Sequence, residues 1–210
     1  MDTQKNSDTI NRLENLFSIL NIRFFDGMLQ RPVITVSPAT RRCYGWCTSW
    51  KAWTDKPETG QEEDGNSEGY YEINLCSEYI ARPFEETVET LLHEMVHLFN
   101  MQEGIQDTSR SGYYHNSYFK EAAEQHGLTV SKTEKYGYSS TALNDEAKIF
   151  VQGLNQQKFE LYRRKKTGGR GSAKQNTRKY VCPKCGTIIR ATKDVHVICG
   201  VCNIAFKKAE

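Results

Sequence analysis

Leu91-Leu92-His93-Glu94-Met95-Val96-His97-Leu98-Phe99 lies inside the most strongly periodic stretch of the chain, residues 84–101. Val88, Leu91, Leu92, Met95, Val96 and Phe99 recur at three- and four-residue spacing, which predicts a helix with a broad apolar face, opened by Pro83. On such a helix His93 and His97 stand one turn apart on one face, so both imidazoles can reach a single metal ion at about 2.0–2.1 Å. Glu94 projects beside them, placed to accept a proton from activated water rather than to ligate. Two histidines and a glutamate in an otherwise apolar helix need partners to offset lost hydration, and a shared metal is such a partner.

A catalytic zinc needs a third protein ligand and one open position. Metzincin spacing requires Gly at 100 and His at 103; Asn100 and Glu103 stand there instead, which excludes that pattern. Of the residues that remain, His115 follows a polar turn and Tyr113-Tyr114 at the start of the next helix, where a chain reversal can return it to the first pair. Glu121 is the alternative, ranked below it, and His126, beside Gly127, reads as a surface or capping histidine.

Outward from this centre the chain alternates helical and extended patterns, an α+β class. Helices are expected over residues 8–25, 116–125 and 144–162, and strands over 33–36, 43–53 and 70–75. The last two strands form an expected hairpin around a polar loop, 54–69, that carries six acidic residues. No window approaches the roughly 20 apolar residues of a membrane span. The first fifteen residues, MDTQKNSDTINRLEN, have no apolar signal region, so the expected location is cytoplasmic.

The net charge of +2 hides an asymmetry. Residues 1–150 hold 14 Lys and Arg against 23 Asp and Glu, a net of −9, whereas residues 151–210 hold 14 against 3, a net of +11. Within the basic part, residues 163–179 carry Arg163, Arg164, Lys165, Lys166, Arg170, Lys174, Arg178 and Lys179 with Gly and Ser spacing and no acid. Such a segment reads as a flexible linker able to neutralise phosphates of DNA without sequence preference. The division expected from composition is a domain over 1–162, a linker over 163–179 and a small module over 180–210.

Seven cysteines, an odd number without a secretion signal, argue against a disulfide framework. Cys182, Cys185, Cys199 and Cys202 form two CxxC pairs thirteen residues apart, which is the spacing of a closed, structural Zn²⁺ site. Cys43, Cys47 and Cys76 read as buried or half-buried thiols.

Taken together, these motifs resemble the SprT-like family of zinc metallopeptidases. The resemblance is carried by the first helix running into Asn21-Ile22-Arg23-Phe24-Phe25-Asp26-Gly27-Met28-Leu29, then Leu92 to His97, then His115-Asn116-Ser117-Tyr118-Phe119, then the paired CxxC motifs. It implies a zincin-like core, a small mixed sheet packed on helices with HExxH on the central one, followed by a C-terminal zinc ribbon. It also implies that His115 is the third ligand of a catalytic Zn²⁺, with Phe119 the apolar residue one turn later. Many members have Gly directly after this histidine, where this chain has Asn116. The implied activity is peptide-bond hydrolysis with Glu94 as general base, on protein substrates bound or crosslinked to DNA. Tyr113, Tyr114, Tyr136 and Tyr138 are candidate oxyanion donors, and YYEINL (residues 70–75) is the expected edge strand for an extended substrate. The rival reading is a zinc-containing protein that binds nucleic acid or recruits partners and does not cleave.

Overall fold

The computed structural model describes residues 3–39, 43–55, 69–155, 159, 163 and 177–209. It divides into two compact units, Met1–Arg164 and Lys165–Glu210.

In the first unit, α1 (Thr3–Phe25) buries Leu13, Leu16, Phe17 and Leu20, the 3.6-residue stripe legible in sequence. It ends at Asp26-Gly27, both in the left-handed region (φ 53° and 73°). Asn21 fastens the returning chain: its Nδ2 donates to Leu29 O at 3.0 Å and its Oδ1 accepts from Leu29 N at 3.1 Å.

A three-stranded sheet follows, in the order β1-β3-β2: β1 (Val33–Ser37), β2 (Gly45–Cys47) and β3 (Glu72–Cys76). β1 runs parallel to β3 in the register Ile34↔Ile73, and β2 runs antiparallel to β3 with Trp46 opposite Asn74. The expected hairpin is present, extended by a bridge between Trp53 and Tyr70, while residues 56–68 of its acidic loop lie outside the described residues. The expected edge is different. β3 is the central strand, with four successive buried residues from Ile73, a pattern that only a strand covered on both faces shows. The edges are β1 and β2.

Helix α2 (Phe84–Gln102) is the hub, touching α1, α3, α4, β2, β3, β6 and β7. Val88, Leu91, Leu92, Met95, Val96 and Leu98 are fully buried, because the helix is covered on nearly every side. Beyond it lies a second sheet in the order β4-β5-β7-β6, from β4 (Thr108–Ser109), β5 (Tyr114–His115), β6 (Leu128–Thr133) and β7 (Gly137–Leu143). Its main hairpin, β6 with β7, was not expected from sequence. Helix α3 (Ser117–Gln125) contributes Phe119, Ala122 and Ala123 to the core, and α4 (Asp145–Gln152) contributes Ala147 and Val151. α4 is shorter than expected, ending at Gly153. Among the described residues no helix is long and apolar enough to cross a membrane.

The second unit holds β8 (Arg178–Val181), β9 (Ile188–Ala191) and β10 (Lys207–Lys208) in the order β10-β8-β9. Its buried hydrophobic residues are Tyr180, Cys182 and Cys199 among those described.

Candidate metal centre

Burial of α2 brings His93 and His97 to one wall of a cleft of about 1060 Å³, and β5 brings His115 to meet them. His115 is not in a helix, as expected, but in a two-residue strand held between β4, where it pairs with Thr108, and β7. Its N–H donates to Tyr136 O at 3.0 Å, and it pairs in parallel with Gly137. Gly137 has φ +67°, and a Cβ there would stand 2.1 Å from His115 O, so only glycine lets β7 come this close. Asn116 then caps α3, its side chain accepting from Tyr118 N (2.9 Å) and Phe119 N (3.3 Å).

The three Nε2 atoms converge. His115 Nε2 lies 3.2 Å from His93 Nε2 and 3.1 Å from His97 Nε2. Tetrahedral ligation at a Zn–N distance near 2.0–2.1 Å sets neighbouring nitrogens about 3.3 Å apart, so the spacing fits a metal. The hydrogen bonds on the far side of two rings support the same conclusion. His97 Nδ1 donates to Asp107 Oδ2 at 2.7 Å, and that oxygen also accepts from Asn100 Nδ2 at 3.0 Å. His93 Nδ1 meets Thr141 Oγ1 at 3.3 Å, and the Thr141 hydroxyl donates onward to Glu89 Oε1 at 3.1 Å. With the proton of each neutral ring on Nδ1, both Nε2 atoms turn lone pairs inward, and one cation satisfies both where a single imidazole N–H could serve only one. Phe119 closes the floor, its ring centroid 4.6–4.7 Å from all three imidazoles.

Burial pushes His93 well below its ordinary range, helped by the neighbouring His97 and His115, and it lowers His115 to about 4. These two rings are therefore neutral at physiological pH, the form in which an imidazole can ligate a metal. His97 goes the other way: burial opposes its charge, but the hydrogen bond and negative charge of Asp107 outweigh burial and raise it. Glu94 is 6% exposed, and burial raises its carboxyl to about 7 despite the opposing pull of His97. Its carboxylate rests against β2. A Cβ on Gly45 would fall 3.1 Å from Glu94 Oε1 and 2.9 Å from Asn74 O, so glycine at 45 leaves room for that carboxylate beside the edge strand.

Of the candidate tyrosines, Tyr113 and Tyr136 line the cleft, whereas Tyr114 and Tyr138 are not among its walls. His126 stands apart, capping the C-terminus of α3 with its ring buried on Phe25 at 4.2 Å. Asp107, Thr141, Glu89 and Asn100 were not singled out from sequence. They sit at irregular separations from the histidines they serve, and only the fold joins them.

The four cysteines form a second cluster, with ligand atoms all within 4.8 Å of one another. Cys185 Sγ is 3.6 Å from Cys199 Sγ, near the roughly 3.8 Å edge of a tetrahedral thiolate site. The two knuckles repeat one hydrogen-bond pattern. Cys182 N donates to Thr187 O and Gly186 N to Cys182 O; Cys199 N donates to Ile204 O and Asn203 N to Cys199 O. Both Gly186 (φ 73°) and Asn203 (φ 54°) take the left-handed conformation that this turn requires. Hydrogen bonds from Thr187 lower the Cys185 thiol to about 6, favouring the thiolate that a metal binds. Cys43 and Cys47 part company: Cys43 Sγ lies 3.9 Å from Cys76 Sγ, while burial raises Cys47 well above its ordinary range.

Of the basic residues expected to meet DNA, Arg164, Lys165, Lys166, Arg170 and Lys174 lie outside the described residues. Arg163 is fastened to the first unit, its N–H donating to Ser77 O at 3.0 Å and its guanidinium 3.7 Å from Glu78. Arg178 and Lys179 belong to β8 rather than to a linker, and Arg178 pairs with Asp194 at 3.1 Å.

No curated protein and no solved structure matches the chain. Residues 13–138, which hold the three histidines, Glu94, Asp107 and both strands beside them, match the SprT-like family, and the chain belongs to it.

Proposed function

We propose that the chain is a zinc-dependent endopeptidase with a zincin-like core and a C-terminal zinc ribbon, acting on DNA-associated proteins. The observation that carries this reading is the convergence of three Nε2 atoms within 3.1–3.2 Å beside the buried carboxylate of Glu94. His93, His97 and His115 would hold one zinc, and Cys182, Cys185, Cys199 and Cys202 a second, structural one. When bound, the first supplies Lewis acidity at the scissile carbonyl and makes a water acidic near neutral pH.

The chain's own residues do the rest. Glu94, raised by burial, takes a proton from that water and returns it to the leaving amine nitrogen. Asp107 and Thr141 fix the rings of His97 and His93, so the lone pairs need no reorganisation. Tyr113 and Tyr136 line the cleft, and their hydroxyls are the candidate donors for the developing oxyanion. The outer edge of β2 is free of a strand partner among the described residues, and it offers main-chain groups to an extended substrate.

The DNA part of the proposal rests on the +11 charge of residues 151–210. Because Arg163 and Arg178 already pair with carboxylates, the phosphate contacts fall mainly to the cations between them. The test is cleavage of a DNA-binding protein with and without DNA, run beside a variant with Arg164, Lys165, Lys166, Arg170 and Lys174 changed to Gln. DNA should accelerate cleavage by the native chain, less so as salt rises, and not by the variant. Equal stimulation of both would overturn the assignment of DNA contact to this segment, and cleavage indifferent to DNA would overturn the substrate class.

A further inference from the structure

Glu89 lies one turn ahead of His93 on α2, half-buried in the wall of the cleft. Its Oε1 accepts the Thr141 hydroxyl at 3.1 Å, and among the described residues no cation lies within 4.0 Å of its carboxylate. Arg82, one helical turn away beyond Glu86, is committed elsewhere. It pairs with Glu86 at 3.3 Å, donates to Thr90 Oγ1 at 2.7 Å and covers the Tyr44 ring at 3.9 Å. Burial raises the Glu89 carboxyl above its ordinary range, against the pull of Thr141 and Arg82.

The cleft as a whole has the same bias. Glu89, Glu94 and Asp107 line it, and among the described residues no Lys or Arg does. Glu94 and Asp107 stand at the metal centre itself, whereas Glu89 reaches it only through the Thr141 hydroxyl on its Oε1, which leaves the rest of its half-buried carboxylate for a substrate. Ser139 and Thr141, on one face of β7, stand in the same wall with hydroxyls able to share a bound cation's hydrogen bonds.

We propose that Glu89 is a specificity-determining residue that receives the ammonium or guanidinium of a lysine or arginine flanking the scissile bond. The proposal rests on the peptidase reading above and adds a substrate preference to it. A cation brought into this wall gives Glu89 the direct ion pair that it lacks among the described residues, and in a half-buried setting such a pair discriminates by about fivefold to tenfold.

Two readouts separate this proposal from the reading it rests on. In the first, the zinc-loaded chain digests an unfolded protein and mass spectrometry maps the cut sites, beside Glu89→Gln and Glu89→Lys. Gln retains an acceptor for Thr141 while the charge is removed, and because Glu89 backs His93 through Thr141, equal zinc content of the native and variant chains is confirmed before digestion. Cuts should cluster about fivefold to tenfold next to Lys and Arg, lose that bias in Glu89→Gln, and move toward Asp and Glu in Glu89→Lys. Cuts without basic bias, or a bias that survives Glu89→Gln, overturn the role of Glu89 and leave the peptidase reading standing.

The second readout is binding. Fluorescence anisotropy follows two labelled peptides, identical except for lysine or norleucine, on zinc-loaded Glu94→Gln with and without Glu89→Gln. Tighter binding of the lysine peptide, lost in the double variant, supports Glu89 even where no cleavage is found, and then only the peptidase reading falls. Equal binding of both peptides together with no cleavage overturns both.

Discussion

At the scale of single residues, the centre depends on side chains that hold the histidines as much as on the histidines. Asp107 fixes His97 through its Nδ1, and Asn100 fixes Asp107 in turn. Removing the carboxylate frees the ring and its tautomer, so Asp107→Ala should weaken zinc at the histidine site by about 10- to 100-fold, read by competition with a chelator. Unchanged affinity would mean that packing by Phe119 alone orients the ring. His126 makes a different prediction. Its half-buried ring packs between Phe25 and Phe99, its Nδ1 donates to Phe24 O, and its Nε2 has no partner among the described residues. Burial lowers its pKa, so the folded state resists protonation. The stability this gives is complete above the unfolded value of about 6.5 and is lost as pH falls from there through the folded value. His126→Phe, which keeps the stacking, should therefore show a shallower loss of melting temperature than the native chain as pH falls below about 6.5. An identical decline would locate the acid sensitivity elsewhere. His93, Glu94 and His97 were legible because their spacing is their geometry. Asp107 and Thr141 were not, because nothing local marks a residue whose function is to bond across the fold.

At the scale of elements, the third histidine shows how a short strand can do what sequence patterns assign to a helix. His115 was read as a helix start because the apolar period of α3 begins just after it. The helix starts two residues later because Asn116 caps it in an extended conformation (φ −93°, ψ −169°), which leaves His115 on the strand side of the boundary. Asn116→Ala should cost about 1 kcal/mol of stability through the lost cap. It should also lower zinc affinity at the histidine site, because the cap fixes where the strand ends; Asn116→Asp, which keeps an acceptor, should restore both. A variant that loses stability but holds zinc as before would separate the cap from the site. The β6–β7 hairpin was missed because Ser, Thr and Lys dilute its alternation, although Gly137 after Lys135-Tyr136 is a turn signal. β3 was mistaken for the edge because the identity of its neighbours is a matter of topology. A parallel partner arriving from residues 33–37 leaves no local trace in residues 70–75.

At the scale of the whole molecule, the two units differ in what holds them together. Met1–Arg164 has a continuous apolar core from α1 through α2 to α4. Among its described residues, Lys165–Glu210 buries little beyond Tyr180 and two cysteines, too little to fold without help. Its folding free energy should come from metal. Titration with a strong chelator should therefore remove two zinc ions per chain with different structural consequences. Amide signals of residues 177–209 should collapse to unfolded positions, while those of the first unit shift only around the histidine site. Dispersed signals from 177–209 in metal-free protein would contradict this. The CxxC pairs were the most legible feature of all, since the two matching knuckles follow from their spacing alone.

The central claim is that three histidines and Glu94 form a working hydrolytic centre. The most direct measurement is a time course of hydrolysis of an unfolded protein by the native chain and by Glu94→Gln, at equal and complete zinc content. The account predicts steady cleavage by the native chain and a loss of about 100-fold or more in the variant, with zinc retained. Equal rates in the two, or no cleavage by a fully loaded native chain across diverse unfolded substrates, would contradict it.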